Sequence, residues 1–161
     1  IDVCNAHLSQ STAERVRNIR LLGVGKIAPE IVAEDPDGNS IALSSLIGKD
    51  LLVLYFWASW CNFCEEENPR LVRIYNEYKE KGLEVYAVAL EYDKAEWLTS
   101  IGNQHLSWIN VFCQVGKETE CARSYDVHAT PTTYLLDKKG RILYKHFTSE
   151  ELEPMLKRIL Y

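Results

Sequence analysis

The sequence predicts an α/β protein with a central mixed β-sheet that is flanked by helices. Through the middle of the chain, apolar runs as long as buried strands alternate with segments of helical periodicity, which is typical of parallel βαβ units. A turn signal at 137–140 separates two β-prone segments and adds an antiparallel strand at one edge. A second turn signal, at 35–38, predicts a β-hairpin over 31–43.

The composition of the 161-residue chain is that of one globular domain, with at most a short appendage. Hydrophobic residues make up 47% and charged residues 25%, which is enough to build a full core. The net charge of −5, without a dense Lys and Arg cluster, argues against nucleic acid or an anionic membrane as the main partner. No apolar run is long enough to predict a membrane span.

The beginning of the chain differs in character from the rest. We predict an N-terminal appendage over 1–25 and the main domain over 26–161. The appendage contains a short amphipathic helix, from about Ser11 to Leu22, which is either a packing appendage or the tail of an upstream domain. Because the chain begins with Ile1 and not with Met, we expect a processed chain that an upstream signal or membrane anchor could have preceded. The helix has apolar residues at three- to four-residue spacing, namely Ala13, Val16, Ile19 and Leu22.

The main domain continues after the hairpin with one helical turn at 44–48 and then alternates strands with helices. Asp93 and Ser149 are the expected caps of the second and the last of these helices, and Gly82 ends the first. The predicted strands cover 51–57, 83–90, 108–112, 132–136 and 141–147. The predicted helices cover 61–81, 93–105, 118–125 and 149–160.

Two cysteines with two residues between them, Cys61 and Cys64, lie where the strand 51–57 leads into a helix. A helix N-terminus stabilises a thiolate through its dipole and its N–H groups, so we expect Cys61 to be the exposed nucleophile. Cys64 lies one turn further on and inside, where it can resolve a mixed disulfide. Trp60 is expected to form an apolar lip that a partner peptide covers. The pattern therefore predicts a redox-active dithiol.

Two other uses of this cysteine pair carry less weight. A zinc site needs two further ligands, usually as a second close pair, whereas Cys113 and Cys121 have seven residues between them and lie in separate elements. Inert core cysteines rarely have this spacing at the start of a helix. We therefore assign no metal-binding residues. His128 remains open as a group that biases thiol titration or binds a metal, although a lone loop histidine is the simpler interpretation.

Two further site residues follow from their spacing to the dithiol and to the last strands. Glu67 is three residues after Cys64 on the same helical face, where its carboxylate could take the Cys64 proton. The helix dipole alone would also favour an acid there, and spacing does not decide between the two. The Thr130-Pro131 bond precedes a strand and is a candidate cis bond, which would present the Thr130 backbone to a substrate chain.

The assembled residues resemble the thioredoxin superfamily, and most closely its TlpA/ResA-like extracytoplasmic thiol-disulfide oxidoreductases. The matching segments are FWASWCNFC at 56–64, Pro69, ATPTTYLLD at 129–137 and Gly140. The resemblance covers roughly 26–160 and implies a thioredoxin-like fold. It identifies the hairpin at 31–43 as the N-terminal extension of these proteins. It also identifies the helix at 93–105, with the strand after it, as their central αβ insertion.

The resemblance also implies roles for the site residues. Cys61 attacks, Cys64 resolves, Pro131 is cis, and Glu67 is a functional acid as in the ResA-like branch. Two differences separate the site from thioredoxin itself, since Tyr55 replaces a buried Asp and Asn62-Phe63 replaces Gly-Pro. Cys113 and Cys121 are not part of the common pattern; a structural disulfide between them is favoured slightly over two thiols. Cys4 is then the odd thiol.

We therefore predict a thiol-disulfide oxidoreductase that reduces protein disulfides through Cys61, Cys64 and Glu67. Trp60, Thr130 and Pro131 are the predicted substrate contacts. Beyond the Cys61–Cys64 disulfide no cofactor is expected. The expected partners are protein disulfide or dithiol substrates and an electron donor that the sequence does not identify. The expected location is extracytoplasmic, in the bacterial periplasm, where an upstream segment could anchor the domain to the membrane. Three alternatives stay open: a peroxiredoxin-like peroxidase, a copper or haem-maturation chaperone using the same cysteines with His128, and a redox-inert adaptor.

Overall fold

A computed structural model describes residues 12–116 and 120–160 of the protein. Within this part, the strands form one mixed sheet in the order β2-β1-β5-β4-β3-β6-β7, which confirms the predicted fold class. The strands are β1 Val32–Glu34, β2 Ser40–Ala42, β3 Leu51–Trp57, β4 Leu83–Glu91, β5 Ile109–Gln114, β6 Thr132–Asp137 and β7 Ile142–Lys145. The helices are α1 Thr12–Leu21, α2 Asn62–Tyr78, α3 Lys94–Gln104, α4 Glu120–Arg123 and α5 Ser149–Leu160, with short 3-10 segments at Leu43–Leu46 and Lys79–Lys81.

Strand β3 lies near the centre of the sheet and leads directly to the two cysteines. It pairs in parallel with β4, with Trp57 opposite Ala89, and antiparallel with β6, with Phe56 opposite Thr132. All seven of its residues are buried because both faces of the sheet are covered. This central placement fixes the position at which the chain leaves the sheet before Cys61.

Two hydrophobic clusters cover the two faces of the sheet. On one face α2, α3 and α5 pack against the odd-numbered residues of β3 and β4. On the other face, residues from the N-terminal segments and from the loop before β6 pack against the even-numbered ones. The helix residues in the first cluster include Leu71, Ile74, Tyr78, Trp97, Leu152 and Leu156. The second cluster includes Leu22, Ile31, Leu43, Tyr125 and Val127.

The N-terminal hairpin extends the sheet at the edge formed by β5. β1 pairs antiparallel with β2 and reaches β5 through the pair Glu34 and Phe112. β5 in turn pairs in parallel with β4. The helix α3 and the strand β5 together form one extra αβ unit between β4 and the loop that precedes β6. The predicted hairpin extension and αβ insertion are therefore both present.

The short helix predicted near the start of the chain is present as α1, but its apolar residues do not face the domain. Val16 and Ile19 are 45% and 51% exposed, whereas the side chain that the helix buries is Asn18. Asn18 Nδ2 donates a hydrogen bond to the Arg123 carbonyl at 2.7 Å, and the Arg123 guanidinium pairs with Glu14 at 2.8 Å. The surface that receives α1 presents polar backbone and charge, so the helix turns its polar side inward. Leu22, just after the helix, is buried as expected.

The N-cap of α3 is the predicted residue, whereas the N-cap of α5 is not. Asp93 caps α3 as predicted, since its carboxylate accepts a hydrogen bond from Ala95 N–H at 2.8 Å. At α5 the cap is Thr148 and not Ser149, because Thr148 Oγ1 accepts from Glu151 N–H at 3.3 Å. Ser149 is the first helical residue and has a different partner, which belongs to the site described below.

Gly82 ends the α2 segment, and we expect its replacement by Ala to destabilise the protein by about 1–3 kcal/mol. Its φ of 106° lies in the left-handed region, and an added Cβ would come within 2.8 Å of the Asp50 Cβ. Urea unfolding of Gly82→Ala measures the effect. Gly102→Ala is the matched control: this glycine lies in α3 with open space around it, so the same change should stabilise by up to about 1 kcal/mol. Equal effects at both positions would contradict this account.

Candidate active site

The two cysteines occupy the junction between β3 and α2. The chain leaves β3 at Trp57 and turns, with Cys61 N–H donating to the Ala58 carbonyl at 3.2 Å. Cys61 is then the N-cap of α2, and its Sγ accepts a hydrogen bond from Cys64 N–H at 3.3 Å. Neither Cys61 nor Cys64 is in a disulfide bond in this structure. The strand–turn–helix path thus places the Cys61 sulfur at the positive end of the α2 dipole.

The expected exposure of Cys61 is wrong for this structure. Cys61 is 1% exposed and Cys64 is fully buried. The Cys61 thiol points between Cys64 N–H and the Thr130 carbonyl, to which it donates at 3.5 Å. The loop before β6 therefore covers the nucleophile, a contact that spacing along the chain does not reveal.

The Cys64 thiol differs electrostatically from a solvated thiol. Burial raises the pKa of Cys64, and its hydrogen bond with Cys61 raises that pKa further. Cys64 therefore keeps its proton until a partner removes it, while Cys61 has the helix N-terminus beside its sulfur. This asymmetry agrees with attack by Cys61 and resolution by Cys64.

The predicted cis bond at Thr130-Pro131 is confirmed. Thr130 is 3% exposed, and its neighbour Pro131 lines an open pocket of about 340 Å³ beside the dithiol, which we name the Pro131 groove. The groove combines apolar walls with polar and charged groups, and substrate contact by Thr130 and Pro131 stays a prediction. Its lining residues are Phe63, Glu66, Glu67, Arg70, Thr130, Pro131, Thr133, His146, Phe147 and Thr148.

Trp60 lies outside the lining of this groove. Its indole Nε1 donates to the Leu90 carbonyl at 3.0 Å, and its ring contacts Tyr92 with centroids 5.5 Å apart. Tyr92 is 57% exposed, so the two rings form an aromatic surface at the position directly before Cys61. The predicted role of Trp60 as a substrate lip stays a prediction, and Tyr92 is a neighbour that sequence spacing did not single out.

Glu67 lines the Pro131 groove but also has a structural contact. Its carboxylate accepts hydrogen bonds from Ser149 N–H at 2.9 Å and from Ser149 Oγ at 3.2 Å. It therefore joins α2 to the N-terminus of α5, where a helix dipole favours an anion. Its function as the base for Cys64 stays a prediction.

Substitution of Glu67 should separate proton transfer from packing. Glu67→Gln keeps an acceptor for Ser149 but cannot take a proton, so we expect resolution to slow by about 100-fold near neutral pH with little change in stability. Glu67→Ala should show the same loss in rate together with about 1–3 kcal/mol of destabilisation, since it leaves Ser149 unpaired. Rapid-mixing kinetics of mixed-disulfide decay measure the rate, and wild-type decay in Glu67→Gln would remove Glu67 from the mechanism.

Tyr55 replaces the charged residue of thioredoxin with a neutral hydroxyl that is bonded into the core. Its Oη donates to Asn68 Oδ1 at 2.7 Å, and Asn68 Nδ2 donates to Gln104 Oε1 at 2.8 Å. Burial raises the pKa of Tyr55, and the nearby Cys64 and Glu67 raise it further. Tyr55 therefore stays protonated beside Cys64 and does not act as the base for the Cys64 proton.

Glu91 is a residue that the sequence reasoning missed. It follows the apolar run of β4 and is fully buried, with its carboxylate accepting from Ser59 N–H at 2.5 Å and from Ser59 Oγ at 2.7 Å. Burial raises the pKa of Glu91 to about 7, with the charges of Glu96 and Asp93 adding to the rise and the Ser59 hydrogen bonds opposing it. The available signal was an acid directly after a buried parallel strand, at the same sheet edge as the cysteines.

Cys113, Cys121 and His128 do not join the dithiol. Cys113 and Cys121 form a disulfide, as the sequence slightly favoured, and Cys4 lies outside the described residues. His128 Nε2 contacts Asp126 Oδ1 at 2.6 Å. Among residues 12–116 and 120–160, no group of three or more His, Cys, Asp or Glu side chains is arranged to hold a metal ion, so His128 does not complete such a group with the cysteines.

None of the helices in the described segments is both long enough and apolar enough to cross a bilayer. α2 is the longest, with 17 residues, and it carries several charges on its surface.

Comparison with known proteins gives a consistent family assignment. Residues 24–145 match the model of the AhpC/TSA family. A thiol-disulfide oxidoreductase ResA from Bacillus cereus is 36% identical over 140 residues, which cover 84% of this chain and 78% of that protein. The ResA protein of Bacillus subtilis is 32% identical over 135 residues, covering 82% of this chain and 71% of that protein.

Solved structures agree with the sequence relatives. The thioredoxin domain of a thiol-disulfide oxidoreductase from Bacteroides vulgatus superposes with a TM-score of 0.80 at 28% identity, covering 87% of this chain and 99% of that one. A thiol-disulfide oxidoreductase from Bacteroides fragilis gives 0.76 at 34% identity, covering 84% and 100%. With its mixed sheet and its dithiol at the β3–α2 junction, the chain belongs to the AhpC/TSA family of the thioredoxin superfamily, as a TlpA/ResA-like thiol-disulfide oxidoreductase.

Proposed function

We propose that the protein works as a reductase, passing two electrons from the Cys61–Cys64 dithiol to disulfides of other proteins. The Cys61 thiolate attacks one substrate sulfur; a Cys61–substrate disulfide forms, and the other substrate sulfur leaves with the electron pair and takes up a proton. Cys64 then loses its proton and attacks Cys61 Sγ. The Cys61–Cys64 disulfide forms, and the second substrate thiol is released.

The observation that carries the exchange chemistry of this proposal is the unequal setting of the two thiols. Cys61 Sγ lies at the N-terminus of α2, while burial holds Cys64 as a protonated thiol. One thiol is thus prepared for attack and the other is held back until the mixed disulfide exists. Glu67 is the proposed acceptor of the Cys64 proton, and Trp60, Thr130 and Pro131 are the proposed substrate contacts.

The proposal also covers what the protein works with. The dithiol supplies both electrons, so the reaction needs no further cofactor. After each turnover an electron donor must reduce the Cys61–Cys64 disulfide again, and a protein dithiol is the proposed donor. An extracytoplasmic location is proposed as well, supported by the Cys113–Cys121 disulfide, which suits an oxidising compartment.

The reduction potential of the Cys61–Cys64 couple tests the direction of exchange. Equilibration with dithiothreitol or glutathione redox buffers, followed by acid quenching and alkylation, gives the fraction of protein in each state. A value near the roughly −270 mV of thioredoxin supports the reductase, whereas a value near the roughly −120 mV of the oxidant DsbA would overturn it.

A further inference from the structure

The end of strand β4 holds the segment between β3 and Cys61 at two successive residues. Glu91 accepts hydrogen bonds from both the N–H and the Oγ of Ser59, at 2.5 Å and 2.7 Å. One residue earlier, the Leu90 carbonyl accepts from Trp60 Nε1 at 3.0 Å. The two residues that directly precede Cys61 are therefore bonded to consecutive residues of β4.

The surroundings of Glu91 disfavour a carboxylate, so a purely structural contact with Ser59 does not explain why an acid is present. The side chain is fully buried, and the charges that act on it, Asp93 and Glu96 at the start of α3, have the same sign as its carboxylate. Burial is the largest cause that raises its pKa. A glutamine would offer a neutral acceptor to Ser59 without the cost of a buried charge. A buried acid kept near the reacting group is more typical of a functional position than of packing.

We propose that Glu91 is a positioning residue for disulfide exchange: through Ser59, it orients the segment that carries Trp60 and presents Cys61 at the N-terminus of α2. This inference rests on the exchange activity proposed above and adds a residue to it. Glu91 does not touch the reacting sulfur atoms; it acts through Ser59. The ionised carboxylate makes the stronger, charge-assisted hydrogen bonds to Ser59, so the orientation of Cys61 follows the protonation state of Glu91.

The rate of Cys61 alkylation by iodoacetamide, measured on the reduced protein from about pH 5 to about pH 9, tests the inference. In the wild type we expect two steps in this profile, the ionisation of Cys61 itself and a second step near pH 7 that belongs to Glu91. Glu91→Gln should remove the second step. Ser59→Ala should flatten it and lower the rate at high pH by about tenfold, because the orienting contact is weakened.

Glu96→Gln is the matched control. Glu96 is exposed and acts on Glu91 only through its charge, so its removal should move the second step to lower pH without abolishing it. Circular dichroism shows whether each variant is folded. If Glu91→Gln fails to fold, Ser59→Ala decides alone, since it leaves the buried carboxyl in place. A wild-type profile in the folded variants would overturn the inference.

The same data distinguish failure of this inference from failure of the proposed function. If peptide mapping shows that Cys61 does not react at any pH in the wild type, the proposed function fails. If Cys61 reacts and its pH profile is identical in the wild type, Glu91→Gln and Ser59→Ala, only the role of Glu91 fails.

Discussion

Replacement of Cys64 by Ala is expected to stop turnover and to trap substrates on the protein. Cys61 still attacks, so a mixed disulfide forms, but the resolving thiol is missing. Intramolecular attack by a well-placed group is equivalent to roughly 10⁵ M or more of external reagent, whereas an external thiol is present at millimolar concentration. We therefore expect disulfide reduction to fall by at least about 1,000-fold, with covalent adducts that a reducing agent releases. Non-reducing electrophoresis and mass spectrometry detect the adducts.

Cys61→Ala and the double variant Cys61→Ala/Cys64→Ala are the controls for this experiment. Both should lose the activity to the same extent, yet neither should form adducts, because the buried, protonated Cys64 is a poor nucleophile. Adducts on Cys61→Ala in equal amount would show that the roles of the two cysteines are reversed.

As the pH rises, the unfolding free energy of the Glu91→Gln variant should increase relative to that of the wild type. The folded-state pKa of Glu91, about 7, is above the ordinary value of 4.5. The stabilisation that the protonated carboxyl of Glu91 gives to the folded state is therefore fully present below about pH 4.5. It is lost as the pH rises through about 7. Relative to Glu91→Gln, the wild type should lose about 3 kcal/mol of unfolding free energy over this range.

Urea unfolding of the wild type and Glu91→Gln at about pH 4.5, 6 and 8 measures this difference. The difference in unfolding free energy between the two proteins reports on Glu91. The unfolding free energy of one protein alone does not, because other carboxylates also titrate in this range. Glu96→Gln, at an exposed position, should leave a much smaller pH-dependent difference. A constant difference between wild type and Glu91→Gln at all three pH values would contradict the assignment of a raised pKa to Glu91.

Local sequence patterns were sufficient to predict the strands of the mixed sheet and the position of the dithiol. The apolar run of β3 and the helical period of α2 each extend over many residues, so their order fixes the junction at which Cys61 lies. The cis bond before Pro131 and the functional family followed from the combination of motifs and not from any single residue. These features depend on short-range sequence, where periodicity and turn chemistry are informative.

Contacts between distant elements could not be predicted in the same way. The hydrogen bonds of Glu91 to Ser59 and of Glu67 to Ser149 join residues 32 and 82 positions apart. The Thr130 carbonyl that covers Cys61 is 69 positions away. The same limit explains α1, where the polar surface around Arg123 determined which side of the helix turned inward. Periodicity identifies an amphipathic helix but does not describe the surface that receives it.

The central claim is that Cys61 and Cys64 exchange two electrons with a disulfide as one couple. The most direct test mixes the reduced protein with a disulfide-bonded protein substrate, quenches with acid at short times, alkylates the remaining thiols and maps them by mass spectrometry. The account predicts that Cys61 appears first in a mixed disulfide and that a Cys61–Cys64 disulfide then forms, with one substrate disulfide reduced per protein oxidised. Substrate reduction while Cys61 and Cys64 both remain alkylatable would contradict it.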